Sequence, residues 1–177
     1  MRPVDRGLAA ESDNPKYAHT EFERRWLVDT KTRPAFAQAD ATDICDRYIT
    51  NTRLRLRRME RRNFDDVVWK LTKKYDCAEP SARPIVTTYM THAEYQVFYA
   101  LPASELVKRR LHVEHAGNWW SLDLFDGALS GLEIVECEAA DANALGMLVP
   151  PPWALQEVTD VLHWQGGALA THGIRGE

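Results

Sequence analysis

Arginines, lysines and carboxylates recur at every second position in several short stretches of this chain. In the clearest, Arg53, Arg55 and Arg57 alternate with Leu54 and Leu56. A period of two is that of a β-strand, whose successive side chains point to opposite faces. The three guanidinium groups would then follow one another along one face, about 6.8 Å per two-residue step. A guanidinium fork matches two phosphate oxygens at once, and lysine adds a compact charge. Lys70 and Lys74 share a face of the following stretch, and Lys108 and Arg110 share a face of a later one. Such rows could hold a chain of phosphates. They could also be solvated basic faces or a patch for nucleic acid.

Carboxylates pair in the same way. Glu21 and Glu23 share one strand face, Glu136 and Glu138 another, and Asp123 stands opposite Leu122 and Leu124 on a third. Clustered carboxylates repel unless something positive sits among them. Mg²⁺ or Mn²⁺ takes oxygen ligands of this kind and bridges to phosphate. Each pair alone is more often a surface feature; both pairs together with the basic rows point to a shared site.

These residues need strands to position them. His19–Asp29 puts Phe22, Trp26 and Val28 on one face, with Arg24 among them, and Glu21, Glu23 and Arg25 on the other. Further period-two stretches are Cys45–Glu60, Val67–Tyr75, Ile85–Met90, Val107–His115, Trp119–Phe125 and Leu132–Ala139. Thr91 with Glu94 three residues later has capping-box spacing, so 91–101 is predicted to be a helix ended by Pro102. Helical turns are also expected in Pro34–Asp40, in Ala140–Leu148 and near the C-terminus. Asp76–Pro84 reads as a loop, and Asn63–Asp66, Ala116–Asn118 and Asp126–Gly131 as turns. The result is about six to eight strands, most with one charged face. A closed barrel could turn those faces inward and leave the apolar faces outside under helices, an arrangement that makes sense around a charged ligand.

The chain has 177 residues, 45% hydrophobic and 27% charged, with a formal net charge of −4. That suits one domain with a real core and argues against a generic nucleic-acid binder. Cys45, Cys77 and Cys137 form no CxxC pair, so no disulfide framework or zinc site is indicated, and a reduced, cytoplasmic setting is expected. No apolar run approaches a membrane span. Residues 1–18 are expected to be a flexible extension and residues 19–177 a single domain. His112 and Glu94 are expected at the surface, Glu94 as a cap residue. Trp119, Trp120 and Trp153 are expected to pack rather than to stack on a ligand.

In order along the chain, these motifs resemble the CYTH, or triphosphate tunnel metalloenzyme, superfamily. Glu21-Phe22-Glu23-Arg24-Arg25 looks like its ExExK signature. Tyr48-Ile49-Thr50, the Arg53–Arg57 row, Leu71-Thr72-Lys73-Lys74 and Lys108-Arg109-Arg110 follow. Asp123-Leu124-Phe125-Asp126-Gly127, Gly131-Leu132, Glu136-Cys137-Glu138, Pro152-Trp153 and Glu157-Val158-Thr159 complete the set. The resemblance covers about residues 19 to 170. It implies an α+β, mainly antiparallel fold: an eight-stranded closed β-barrel, or tunnel, with flanking helices.

The resemblance also implies an enzyme, a divalent-metal-dependent triphosphatase using Mg²⁺ or Mn²⁺. Carried over by position, Glu21, Glu23, Asp123, Glu136 and Glu138 would hold metal. Arg25, Arg53, Arg55, Arg57, Lys70, Lys74 and Arg110 would hold phosphates. Lys108 and Tyr48 would activate the attacking water, a role that suits a lysine whose pKa is lowered by neighbouring arginines. The partner expected is a triphosphate-containing small molecule, inorganic tripolyphosphate first, with no membrane and no nucleic acid; a homodimer is left open. A class IV-type adenylate cyclase, a thiamine triphosphatase, a nucleoside triphosphatase and a non-catalytic polyphosphate-binding or nucleotide-binding module are the alternatives. RNA binding by the Arg53–Arg62 run ranks below them. The chain departs from the family pattern at three places. Arg25 replaces the signature lysine, Ile85 and Thr87 stand where some members carry an acidic pair, and Leu162-His163-Trp164 lacks an arginine that relatives have.

Overall fold

The computed structural model describes residues 17–37, 41–61 and 64–174, so the expected N-terminal extension lies almost wholly outside the described residues. Among them run nine strands: β1 (His19–Val28), β2 (Thr42–Ile49), β3 (Leu54–Arg61), β4 (Val67–Lys74), β5 (Ala82–Met90), β6 (Ala103–His115), β7 (Asn118–Phe125), β8 (Glu133–Ala139) and β9 (Ala154–Glu157). Three helices accompany them: α1 (His92–Tyr99), α2 (Ala142–Gly146) and α3 (Gly166–His172). Antiparallel pairing runs β5-β4-β3-β2-β6-β7-β8-β1, and β1 pairs back onto β5. The eight strands therefore form a closed barrel with no free edge between them. β1 uses one edge for β8. On the other, His19–Phe22 pairs with β5, while Trp26 and Val28 pair with β9, which adds outside the ring.

The turns explain where the strands break. The period-two stretch Cys45–Glu60 is two strands rather than one, because Asn51 at φ 58° reverses the chain between Ile49 and Leu54. β6 and β7 join through Ala116 and Gly117, both at positive φ (50° and 74°), as a two-residue hairpin turn with right-handed strand twist needs. The helical turns expected in Pro34–Asp40 are not observed over Pro34–Ala37, and 38–40 lie outside the described residues. Asp76–Pro84 is loop only as far as Ser81, since β5 starts at Ala82.

Alternation sorts side chains as the sequence suggests, and closure decides which side is which. The outward faces of β1, β6, β7 and β8 carry the largest core, with Trp26, Leu111, Trp120, Leu122, Val135 and Cys137. Leu145, Leu148 and Trp153, from α2 and the segment after it, cover these residues, and the rings of Trp26 and Trp120 lie 5.4 Å apart. Each large apolar side chain fully buried here contributes roughly 1.5–3 kcal/mol. Trp120 and Trp153 pack as expected, whereas Trp119 is exposed. Over β3–β5 the cover is α1, which starts with the predicted capping box and rests Tyr95 against Trp69. Inside, a second apolar cluster of Leu106, Phe125, Leu129, Leu132, Ile134 and Leu169 closes one end of the barrel beneath α3.

Candidate active site

The inward faces of the strands enclose a cavity of about 280 Å³. β1 contributes Glu21, Glu23 and Arg25, β3 contributes Arg55 and Arg57, and Arg53 comes from the turn just before β3. Lys74 comes from β4, Arg83 from β5, Lys108 and Arg110 from β6, and Glu136 and Glu138 from β8. Tyr48 reaches in from β2, beside Gly166 and Gly167 at the start of α3. Eight cationic side chains and five carboxylates line this space, an excess of positive charge that draws an anion inward.

Most of the cations are held by carboxylates. Asp46, wholly buried on β2, accepts from Nε and Nη2 of Arg57 at 2.5 and 2.6 Å, with Nε of Arg55 3.7 Å away. Asp123 accepts from Lys108, and from Nε and Nη2 of Arg110 at 2.7 Å each. Glu136 accepts from Arg25 at 2.8 Å and also from Arg110. Lys74 donates to Glu21 at 2.6 Å. Burial alone would push the Asp46 carboxyl up, but Arg57 and Arg55 override it and hold the pKa far below the usual carboxylate range. Burial is likewise overridden at Glu136, by Arg110 and Arg25. Burial, with Arg110 adding to it, lowers the Lys108 pKa in spite of Asp123. Burial and then Asp46 raise that of Tyr48, whose hydroxyl therefore stays protonated.

Glu21, paired with Lys74, Glu23, 3.4 Å from Nε of Arg25, and Glu138 form a separate group. One oxygen from each lies within 4.8 Å of the others. Burial and then Glu136 push the Glu23 carboxyl up, and burial, then Glu21 and Glu136, push up that of Glu138. At Glu21, Lys74 and Arg55 override burial and lower it. Three oxygen donors at this spacing, two of them raised by their surroundings, fit a hard divalent cation such as Mg²⁺ or Mn²⁺.

No family model matches the chain. Over 54 residues it is 41% identical to an inorganic triphosphatase of Nitrosomonas europaea, a match covering 30% of this chain and 36% of that protein. The matched stretch thus spans little more than a third of the relative's length. The crystal structure of an inorganic triphosphatase superposes over 86% of this chain and 95% of its own, with a TM-score of 0.57 and 25% identity. The chain thus shares its fold with an inorganic triphosphatase, a likeness consistent with the CYTH, or triphosphate tunnel, superfamily. A Bacillus halodurans protein provisionally named an adenylate cyclase shares the fold, with a TM-score of 0.52 and 13% identity over 73% of this chain and 86% of that one.

The tunnel brings most of the sequence-derived residues together and separates some. Of the five carboxylates assigned to metal, only Glu21, Glu23 and Glu138 form the trio. Asp123 is fully buried behind Lys108 and Arg110, and Glu136, though in the cavity wall, is bound to two arginines. Lys70 lies outside the cavity lining: two steps beyond Thr72 on β4, its ammonium is 5.6 Å from the centre of the exposed Tyr89 ring. Arg25 is engaged by Glu136 and, at 3.4 Å, by the Trp164 carbonyl and the Gln165 side chain, bonds that a single ammonium could not reproduce in this fork geometry. His112 is exposed and Glu94 is a cap residue, both as expected.

Asp46 and Arg83 are the functional candidates that the sequence reading missed. Asp46 shares the parity of Tyr48, which was the available signal. Arg83 shares the parity of Ile85 but precedes Pro84 in a stretch that reads as loop.

Proposed function

We propose that this tunnel is a divalent-metal-dependent triphosphatase, with inorganic tripolyphosphate its foremost substrate. One observation carries the reading: a closed barrel whose inner wall sets arginines and lysines beside three carboxylates, Glu21, Glu23 and Glu138, whose oxygens gather within 4.8 Å of one another. The similarity to an inorganic triphosphatase supports it. In this reading Glu21, Glu23 and Glu138 hold Mg²⁺ or Mn²⁺. When bound, such an ion neutralises phosphate charge and polarises a phosphoryl oxygen.

Arg53, Arg55 and Lys74 bind phosphate oxygens, and Arg57 and Arg110, fixed by Asp46 and Asp123, add positive potential where charge develops. The neutral form of Lys108, which burial favours, accepts the proton of the attacking water. Tyr48, kept protonated, donates a hydrogen bond that orients it. The water oxygen bonds to the terminal phosphorus, the bridging P–O bond breaks, and pyrophosphate and orthophosphate leave. A reduced, cytoplasmic setting fits the three free cysteines; among the described residues no helix is long and apolar enough to cross a membrane.

Phosphate release from tripolyphosphate, pyrophosphate, thiamine triphosphate, ATP and GTP, each with Mg²⁺ and with Mn²⁺, tests the reading. Fastest release is expected from tripolyphosphate. No release above blank from any of them would sink the hydrolase, and cyclic AMP formed from ATP without orthophosphate would replace it by a cyclase.

A further inference from the structure

β5 differs from the rest of the wall. Its inward positions are Arg83, Ile85, Thr87 and Tyr89, which lie opposite Glu21 of β1 and Lys74, Thr72 and Lys70 of β4. None is a carboxylate. Ile85 is buried, the Thr87 and Thr72 hydroxyls lie 3.0 Å apart, and Tyr89 is exposed at the rim. Arg83 is thus the only ionised group that β5 turns to the cavity.

Arg83 also differs from the other cations there. Seven of the eight have a carboxylate oxygen within 3.7 Å: Arg25, Arg53, Arg55, Arg57, Lys74, Lys108 and Arg110. Arg83 forms no ion pair among the described residues, and its Nε, like those of Arg25 and Arg55, is buried with no hydrogen-bond partner, so no carboxylate offsets its burial. Its cross-strand neighbour Glu21 is bonded to Lys74 instead. A buried donor left without a partner costs about 1–3 kcal/mol, more when charged. A ligand oxygen that arrives from the cavity removes that cost, so the unbound protein already carries an incentive to take an anion at this place. The acidic trio begins with Glu21, directly across from Arg83, so both would act on the same end of a bound phosphate chain.

We propose that Arg83 anchors a phosphate group of the substrate from the β5 wall, the wall that supplies no metal ligand; this rests on the triphosphatase reading above. The test is calorimetric titration of tripolyphosphate, without divalent ions, into the full chain and into Arg83→Met, Arg83→Lys and Arg47→Met. Arg47 lies on the outer face, against Tyr99. Arg83→Met is expected to weaken binding about tenfold or more, Arg83→Lys by less, and Arg47→Met not at all. Equal affinity of the wild-type chain and Arg83→Met overturns the proposal and leaves the triphosphatase reading intact. A wild-type chain that binds no tripolyphosphate without divalent ions overturns the Arg83 proposal, whereas only the absence of phosphate release with Mg²⁺ and Mn²⁺ overturns the triphosphatase reading. If Arg83→Met does not fold, the wild-type protein still decides. Phenylglyoxal labelling of Arg83, followed by peptide mass spectrometry, should slow several-fold with tripolyphosphate while that of Arg47 does not; unchanged labelling of Arg83 overturns the proposal.

Discussion

A buried carboxylate between two arginines is costly to disturb from either side. Removing the charge of Asp46 would leave Arg57 buried without its bidentate partner, and Asp46→Asn is expected to destabilise the fold by about 3–5 kcal/mol, measured by urea denaturation at neutral pH. Combining it with Arg57→Met should recover most of that loss. The pH dependence follows from the direction of the shift. Asp46 has a folded pKa below its ordinary value, so its contribution is complete above about pH 4 and declines as pH falls toward the folded value. The gap between wild type and Asp46→Asn should therefore stay constant from neutral pH down to about pH 5 and narrow only below about pH 4. Glu138 is the opposite case, a carboxylate raised by burial and its acidic neighbours. Glu138→Gln is expected to leave the metal-free melting temperature equal or higher while lowering Mn²⁺ affinity by about tenfold or more in calorimetric titration. Unchanged Mn²⁺ affinity would place the cation elsewhere.

Turns and close approaches carry the constraints at the scale of the elements. Ala116 sits at φ 50° in the β6–β7 turn, a conformation unfavourable for a residue with a Cβ. Ala116→Gly is expected to stabilise the protein by about 0.5–1 kcal/mol, read as a rise in the urea midpoint at constant slope. At the start of α3 the reverse holds. A Cβ on Gly166 would lie 2.1 Å from the Tyr48 hydroxyl oxygen, with the next ring atom at 3.0 Å. Gly166→Ala is expected to destabilise by about 1–3 kcal/mol, and a double-mutant cycle with Tyr48→Phe should show part of that penalty relieved. An additive cycle would mean that α3 shifts away from the tunnel floor rather than pressing on Tyr48.

For the whole molecule, closing the barrel places like charges around one small volume. The internal ion pairs offset part of the repulsion, and an anionic ligand offsets more. Tripolyphosphate without metal is expected to raise the melting temperature, with a gain of about 2.7 kcal/mol at a hundred times its dissociation constant. The gain should shrink as sodium chloride is added, because salt screens the charges at the tunnel mouth. Orthophosphate at equal concentration should give a smaller shift, since it reaches fewer of the cations arranged along β3. Equal shifts from the two anions would argue against a site built for a phosphate chain.

Alternation in the sequence determines which side chains travel together. It groups Glu21 with Glu23, aligns Arg53, Arg55 and Arg57, joins Lys108 to Arg110 and Glu136 to Glu138, and these groupings all hold. The capping box is similarly local, and α1 begins where it indicates. Local pattern cannot tell inward from outward, because a strand presents its two faces symmetrically until a neighbour covers one. Nor does it show which carboxylate meets which cation. Arg110 reaches Asp123 and Glu136 across 13 and 26 residues of chain through the registers of β6, β7 and β8. Tertiary structure thus divides five similar acids into a trio gathered at one place and two, Asp123 and Glu136, each held by two basic groups. It also brings in Asp46, whose importance comes from the arginines facing it across β3, and Arg83, hidden in sequence by the proline and small residues around it.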